Sequence, residues 1–360
     1  MVNKWSEKEK VFVGMSGGVD SSVAALLLKE AGFEVTGVFI RGWYPEFLTC
    51  NWKEDRRDAM RVAAALDIPF LTINAEESYK REVVDYMISE YSRGRTPNPD
   101  VMCNRHVKFG VFYKEAINRG ADYIATGHYA KMDSNSEEIE LKMGEDRNKD
   151  QSYFLWNVDK SALTSTLFPL GNYKKEEIRS IAKKNNLVTA NKKDSQGVCF
   201  LGKVSMKEFI SHYVSPKEGE VLDPYGEVIG YHPGAMLFTY GERKGFTVTK
   251  KGTEDKPRYV VAKDIEKNTI TVAEKTNDKF SKYNKEKVLI ENTNWISREP
   301  EESEELLVRY RYRQPLIRAK LQKNDEYHIV IFDEPQESVT SGQSLVVYKD
   351  DVCLGGGIIM

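Results

Sequence analysis

The segment Gly14-Met15-Ser16-Gly17-Gly18-Val19-Asp20-Ser21-Ser22 restricts what this chain can become more than any other. It follows a short β-branched and aromatic run, Val11 to Gly14. It precedes a stretch from Ser22 to Ala31 in which Val23, Ala24, Leu27 and Leu28 fall near helical spacing, with Gly32 as a stop. Strand, glycine turn and helix in that order make an anion-binding concavity. Gly17 and Gly18 let the backbone turn sharply and approach a ligand with no Cβ in the way. Successive N–H groups and the positive end of the helix dipole then face the anion. Ser16, Ser21 and Ser22 add hydroxyl donors, and Asp20 is a candidate to orient a magnesium ion. The P-loop needs Gly-x-x-x-x-Gly-Lys-Ser/Thr, and no lysine lies here. A tight turn with a capped helix would use the same residues without a ligand. The position between strand and helix favours phosphate.

The rest of the pattern sets a frame around this loop. Phe33 to Ile40, Phe70 to Ile73 and Tyr123 to Ala125 read as strands. Asp55 to Leu66, Ser78 to Tyr91, Val107 to Arg119 and Glu176 to Asn186 read as helices. The alternation predicts an α/β domain, a parallel sheet with helices on both faces. After Cys199 the texture changes to a short helix from Met206 and then to strands and turns, among them Asp223-Pro-Tyr-Gly226. From Lys287 onward only short strands follow, which predicts a small β-barrel or sandwich. At roughly 100–200 residues per domain, 360 residues accommodate three units. They are a catalytic domain over 1–203, a small mixed or β central domain over 204–279, and a C-terminal β-barrel over 280–360.

The net charge of −2 announces no polyanion partner, so any nucleic-acid contact must come from local basic patches. Met1 to Lys10 has no apolar run of the signal-peptide kind, and no stretch approaches the roughly 20 apolar residues of a membrane span. A cytoplasmic location is the default reading.

The four cysteines are Cys50, Cys103, Cys199 and Cys353, none spaced as Cys-x-x-Cys, which argues against a zinc ribbon or a thioredoxin-like motif. Cys353 lies in an apolar run and Cys50 has no partner signature, so both read as structural. The other two lie in polar segments. In Arg95-Thr-Pro-Asn-Pro-Asp100-Val-Met-Cys103-Asn-Arg-His-Val-Lys-Phe109, two prolines hold Asn98 and Asp100 in an extended loop. Helix periodicity resumes only after Cys103, which puts the thiol near a helix N-terminus, with Arg105, His106 and Lys108 behind it. Both features favour a thiolate. Asp100 is a candidate acid or base. A capping aspartate beside a core cysteine is the bland alternative. The second segment, Lys192-Lys-Asp-Ser-Gln-Gly-Val-Cys199-Phe200, is polar up to its thiol. Together the two thiols fit an exchange of oxygen for sulfur. Adenylation turns the oxygen into a leaving group, a persulfide carries the sulfur, and a second thiol releases it through a transient disulfide.

Ser-Gly-Gly-x-Asp-Ser resembles the ATP pyrophosphatase loop of the adenine-nucleotide α-hydrolase-like enzymes. Seven segments in order carry a closer resemblance: Gly-Met-Ser-Gly-Gly-Val-Asp-Ser-Ser, Arg-Thr-Pro-Asn-Pro-Asp-x-x-Cys-Asn, Tyr-Ile-Ala-Thr-Gly-His-Tyr, Lys-Asp-Gln-Ser-Tyr-Phe-Leu, Asp-Ser-x-Gly-x-Cys-Phe, Arg-Tyr-Arg-Gln and Val-Cys-Leu-Gly-Gly-Gly-Ile-Ile. Over residues 11–359 the chain is similar to the bacterial tRNA-specific 2-thiouridylase family. The resemblance implies ATP-dependent thiolation of the wobble uridine (U34) of tRNA at C2. It implies that Cys103 is the nucleophile, that Cys199 carries the persulfide, that the two form a transient Cys103–Cys199 disulfide, and that Asp100 is the acid/base. It implies an ATP site of Gly14, Met15, Ser16, Gly17, Gly18, Val19, Asp20, Ser21, Ile40 and Gly127, with Mg2+ arriving with ATP. Asn98, Pro99 and Asp100 would meet the target base; Lys149, Asp150, Gln151, Arg311 and Tyr312 would meet the tRNA. The implied partners are tRNAs of the Lys, Glu and Gln type and a cysteine desulfurase or sulfur-relay protein. Ile40 stands where the family often has Met, and Glu242 where it has Gln, which adds a negative charge to a loop near RNA.

Arg309, Arg311 and Arg313 alternate with Tyr310 and Tyr312. On a strand this would set the arginines roughly 6.5–7 Å apart along one face, matched to phosphates, with the tyrosines turned to the core. His128 alone reads as a satisfied loop histidine. Two other classes remain open from the residues: an AMP-forming amide synthetase using the same loop, and an RNA-binding module whose nucleotide loop is structural.

Overall fold

The computed structural model describes residues 9–47, 52–133, 138–193, 204–249, 256–275, 283–302 and 304–360. Up to residue 170 the strands are β1 (Lys10–Gly14), β2 (Glu34–Arg41), β3 (Phe70–Asn74), β4 (Tyr123–Ala125), β5 (Ala130–Asp133), β6 (Glu140–Met143) and β7 (Thr166–Leu167). Five of them form a parallel sheet in the order β3-β2-β1-β4-β7. Val11 and Val13 are fully buried and Phe12 nearly so, because β1 is covered on both faces; hence its continuous apolar run rather than an alternating one. One face packs on α1 (Val19–Glu30), α2 (Trp52–Ala65) and the helix Lys175–Lys184. The other packs on helical segments 76–92 and 99–118. The winding reverses between β1 and β4, so a crevice opens at their carboxyl ends, where open α/β sheets bind ligands.

Both helical segments on the second face widen in the middle. Lys80–Asp85 and Cys103–Phe112 run in π-type turns between α-helical ends, a form found often at functional sites. The helix read as starting near Val107 begins at Pro99 instead. Asn98 caps it by accepting from the Val101 N–H at 3.4 Å, and Pro99 occupies the first turn. The same residues look like turn chemistry in the sequence. Cys103 therefore lies one turn inside the helix.

The central region is a five-stranded sheet in which Gly219–Leu222 pairs parallel with Thr269–Glu274 and the other pairings are antiparallel. The C-terminal strands Lys285–Trp295, His328–Gln336, Ile317–Lys323, Leu306–Arg309, Ser344–Lys349 and Val352–Ile359 pair in that order. Lys285–Trp295 also pairs with Val352–Ile359, so the barrel closes. The hairpin β5–β6, from the first part of the chain, extends this sheet through Val352↔Lys142 and Cys353↔Leu141. The boundaries expected near 203 and 280 fall outside the described residues. Among the described residues no helix is long and apolar enough to cross a membrane.

Candidate active site

At the crevice, Gly18 ends the loop and α1 begins with no side-chain cap. Its first N–H groups lack intrahelical acceptors and face outward. Gly17 has φ +76°, and a Cβ there would lie 2.3 Å from the Asp55 carbonyl oxygen of α2. A Cβ at Gly127, after β4, would lie 2.8 Å from the Ser21 nitrogen. Both glycines are therefore required for close backbone approach, and they shape a cradle that suits a triphosphate. Ser21 Oγ accepts from Ser16 N–H at 3.2 Å, and Ser22 Oγ donates to the Gly18 carbonyl at 2.8 Å, so the loop is held before any ligand arrives. Met15 and Val19 are buried, so only their backbones face the cradle. Ile40 Cδ1 lies 3.9 Å from where a Gly14 Cβ would be, alongside the loop's first residue.

The lysine missing from the loop sequence comes from elsewhere. Lys175, at the start of its helix, reaches Asp20 with Nζ 2.7 and 2.8 Å from the two carboxylate oxygens. The Tyr129 hydroxyl donates to Asp20 Oδ1 at 2.7 Å. The Lys175 side chain is only 11% exposed, so this cation is committed to the loop. Periodicity could not single it out, because Lys174, Lys175, Lys183 and Lys184 look alike along the chain.

The helix from Pro99 joins the crevice from below. Phe112 lies under Gly14, 3.4 Å from where its Cβ would be. Phe109 packs on His128, ring centroids 5.8 Å apart, and Phe168 covers both. His128 is buried and bonds Thr126 Oγ1 at 2.7 Å. Burial, with a smaller push from the Lys108 cation, holds its imidazole far below the usual range, so it is neutral at pH 7. Cys103 is buried at 6% exposure.

Burial raises the Asp100 carboxyl above the ordinary carboxylate range, partly offset by Lys108. A carboxyl raised by folding contributes stability while protonated. That contribution is complete below the unfolded pKa and is lost as pH rises through the folded one. Asp100 therefore costs stability as pH rises toward neutral. Asp100→Asn should raise Tm at neutral pH, and the gain should vanish in acid, where the two side chains are nearly equivalent. A pH-independent Tm difference in thermal melts would contradict this.

Residues 149–154 tie the two halves of the site together. Gln151 exchanges hydrogen bonds with Tyr129, side-chain oxygen to N–H at 3.1 Å and N–H to carbonyl at 2.9 Å. The Asn104 amide donates to the Phe154 carbonyl at 3.0 Å, and the Tyr153 hydroxyl donates to the Ser344 carbonyl at 3.0 Å. Tyr312 packs on Phe154 at 4.6 Å between centroids. Asn98, Asp100, Cys103, Gln151 and Tyr312 thus belong to one neighbourhood, and Lys149 is partly exposed beside it.

Two expectations about RNA contact need correction. The Asp150 side chain is fully buried and ion-paired with Arg309; it also accepts from Gly144 and Ser152 N–H groups at 3.1 Å, so it faces no RNA. The strand expected through Arg313 stops at Arg309, and Arg313 turns back with φ +65°. There is no comb of arginines: Arg309 is in the core, the Arg311 guanidinium donates to the Tyr240 and Ser338 carbonyls at 2.6 and 2.9 Å, and Arg313 is exposed. Arg309→Met leaves Asp150 charged and buried. It should cost about 3–5 kcal/mol in a denaturant titration, with a loss under 1 kcal/mol (about the worth of a surface pair) contradicting the assignment.

Cys199 and Cys50 lie outside the described residues. The chain leading toward Cys199 is anchored beside the loop: Lys192 Nζ is 2.8 Å from both Asp55 and Asp58 of α2, and Thr189 Oγ1 donates to Ser22 Oγ at 3.0 Å. Cys353 is buried in the barrel, and burial pushes its thiol up to about 12, consistent with a structural role. The extra charge of Glu242 is met by Lys207 Nζ at 2.5 Å. Arg243 and Lys244, exposed next to it, line a 490 Å³ cavity with Tyr259.

Three family models match the chain in succession: a tRNA methyl transferase HUP domain over residues 9–203, a tRNA methyl transferase PRC-barrel domain over 207–274, and an aminomethyltransferase beta-barrel domain over 285–359. Proteins called tRNA-specific 2-thiouridylase MnmA match end to end. The one from Christiangramia forsetii is 43% identical over 98% of this chain and 100% of its own length. That from Geobacillus thermodenitrificans is 43% identical over 99% and 96%, and that from Alkaliphilus oremlandii 43% over 99% and 99%.

Proposed function

The chain belongs to the tRNA-specific 2-thiouridylase family, and from that premise we propose that it replaces the C2 oxygen of the wobble uridine of tRNA with sulfur, using ATP. The observation that carries the reading is the convergence of the ATP loop and the Cys103 helix across Gly127 and His128. Activation and sulfur transfer need one shared position for the base, and the packing of this helix against the loop supports that reading.

ATP is the substrate of the first half. The uridine C2 oxygen attacks the α-phosphorus, the bond to the β-phosphate breaks, and pyrophosphate leaves. Loop N–H groups, Ser16, Ser21 and Lys175 stabilise the charge on the departing phosphates. Mg2+ would come with the triphosphate, the form in which this ion usually binds, and would add neutralisation there; Asp20, whose oxygens otherwise accept from Lys175 and Tyr129, is the loop carboxylate that would hold it. In the second half the outer sulfur of a Cys199 persulfide bonds to C2 and AMP leaves with the former C2 oxygen. The Cys103 thiolate attacks Cys199 Sγ, which breaks the bond to the transferred sulfur and leaves a Cys103–Cys199 disulfide. A thiol reductant resets it. Asp100 moves the proton at the base, and Asn98 and Pro99 line the base position. Lys149, Gln151, Arg311 and Tyr312 form the tRNA-facing surface, with Asp150 supporting it from beneath. The tRNAs are of the Lys, Glu and Gln type, and the persulfide comes from a cysteine desulfurase directly or by relay in the cytoplasm.

The test is the purified protein with ATP, a persulfide donor and unmodified tRNA. The product should be 2-thiouridine at the wobble position by mass spectrometry, with AMP and pyrophosphate formed. A methylated base, or ATP–pyrophosphate exchange driven by a small acid without tRNA, would overturn the reading.

A further inference from the structure

Asp20 stands in the first turn of α1, at the ATP loop, with its side chain partly exposed. Donors from elsewhere in the chain orient its carboxylate. Lys175 Nζ spans both oxygens, at 2.7 and 2.8 Å, and the Tyr129 hydroxyl donates to Oδ1 at 2.7 Å. An ammonium on a flexible stem can swing together with the carboxylate it holds. A phenol has no such freedom, because the ring fixes its oxygen, and Tyr129 is buried at 2% exposure. The ring meets the pair a second time, its centroid 5.8 Å from Lys175 Nζ, within cation–π reach.

Tyr129 is itself clamped. Its N–H donates to Gln151 Oε1 at 3.1 Å, and its carbonyl accepts from Gln151 N–H at 2.9 Å. Gly144 lets this segment come close: a Cβ there would lie 2.8 Å from the Tyr129 carbonyl oxygen. The same segment holds the other donor, because Lys175 N–H donates to Asp146 Oδ2 at 3.1 Å. Residues 144–151 therefore set both donors against Asp20. The Tyr129 hydroxyl has its proton on Asp20, so it acts on the phosphates only through the pair.

We propose that Tyr129 is a positioning residue for the ATP-splitting step: its hydroxyl and ring fix the Asp20–Lys175 pair, so that the Lys175 ammonium stands ready where charge develops on the departing phosphates. This rests on the function proposed above. Preorganised charge acts in the transition state more than in the ground state, so loss of the hydroxyl lowers the rate and leaves ATP affinity in place.

The experiment uses full-length protein, ATP with Mg2+, unmodified tRNA and a persulfide donor, with Tyr129→Phe, Lys175→Met and the double variant. Tyr129→Phe removes the hydroxyl and keeps the ring. Single-turnover pyrophosphate release at saturating ATP and tRNA should fall about 10- to 100-fold, with the half-saturating ATP concentration and the tRNA dissociation constant within about twofold of wild type. Added to Lys175→Met, the same change should cost less than about threefold, because the hydroxyl acts through a pair that is already broken. A wild-type rate in Tyr129→Phe overturns the proposal. So does a full multiplicative loss in the double variant, which would make the hydroxyl an independent contact. A loss recovered by raising ATP overturns it too, since Tyr129 would then only help to hold ATP. If the wild type splits ATP with tRNA present yet makes no 2-thiouridine, the proposed function fails while the Tyr129 comparison still decides. A wild type that splits no ATP overturns both. If Tyr129→Phe fails to fold, Tyr129→Met, which also lacks the hydroxyl, takes its place in both comparisons.

Discussion

Cys199→Ser and Cys103→Ser should each lower tRNA thiolation by at least about a thousandfold, because each removes a sulfur nucleophile that serine cannot replace. The two losses should differ in kind. Cys199→Ser cannot accept the persulfide, so protein mass spectrometry after donor loading should show no added sulfur at that position. Cys103→Ser should load normally and stall at release. Both should retain tRNA-dependent pyrophosphate formation, because neither thiol takes part in splitting ATP. Serine is close to cysteine in volume, so the buried site of Cys103 should keep its packing. Cys353→Ser is the control. Its thiol is buried in the barrel and pushed up to about 12, so it supplies no thiolate at neutral pH, and its loss should leave the rate intact. Full activity in either of the first two variants would sink the two-thiol mechanism.

Lys175→Met should act on the other half of the reaction. This ammonium is the cation that the fold brings to a loop without its own lysine, and it lies against both Asp20 oxygens. Removing one preorganised charge stabiliser typically costs about 100- to 1,000-fold in rate. That loss should appear in pyrophosphate release, and in thiolation to the same extent, while persulfide loading on Cys199 is unchanged. Lys175→Arg should recover only part of the rate, because the planar guanidinium cannot mimic a compact ammonium in a pocket where the side chain is 11% exposed. An unchanged rate of pyrophosphate release in Lys175→Met would remove it from the phosphate site.

The parts legible in the sequence are those whose cause is local. A buried central strand needs an unbroken apolar run, and Val11 to Val13 supplies it. A cradle with no room for Cβ atoms needs glycines, and Gly17 stands where the clearance demands one. What the sequence conceals are pairings between distant residues. Lys175 meets Asp20 across 155 positions, and Arg309 meets Asp150 across 159. Seen in sequence alone, a cation opening a helix reads as a solvated charge, and an arginine alternating with tyrosines reads as a phosphate contact. The hairpin β5–β6 escaped for the same reason: its edge pairs with Val352–Ile359, at the far end of the chain. The start of the Cys103 helix was hidden by Pro97 and Pro99, which also suit an extended loop. The Tyr129 hydroxyl meets Asp20 across 109 positions and leaves no local mark at all.

On the proposed mechanism this ATP loop activates the oxygen that sulfur then replaces. A tRNA bearing a heavy oxygen isotope at C2 of the wobble uridine tests it most directly, incubated with the protein, ATP and a persulfide donor. The heavy oxygen should end in the phosphate of AMP, one atom for each 2-thiouridine formed. Heavy oxygen recovered in water, or 2-thiouridine formed with unlabelled AMP, would contradict it.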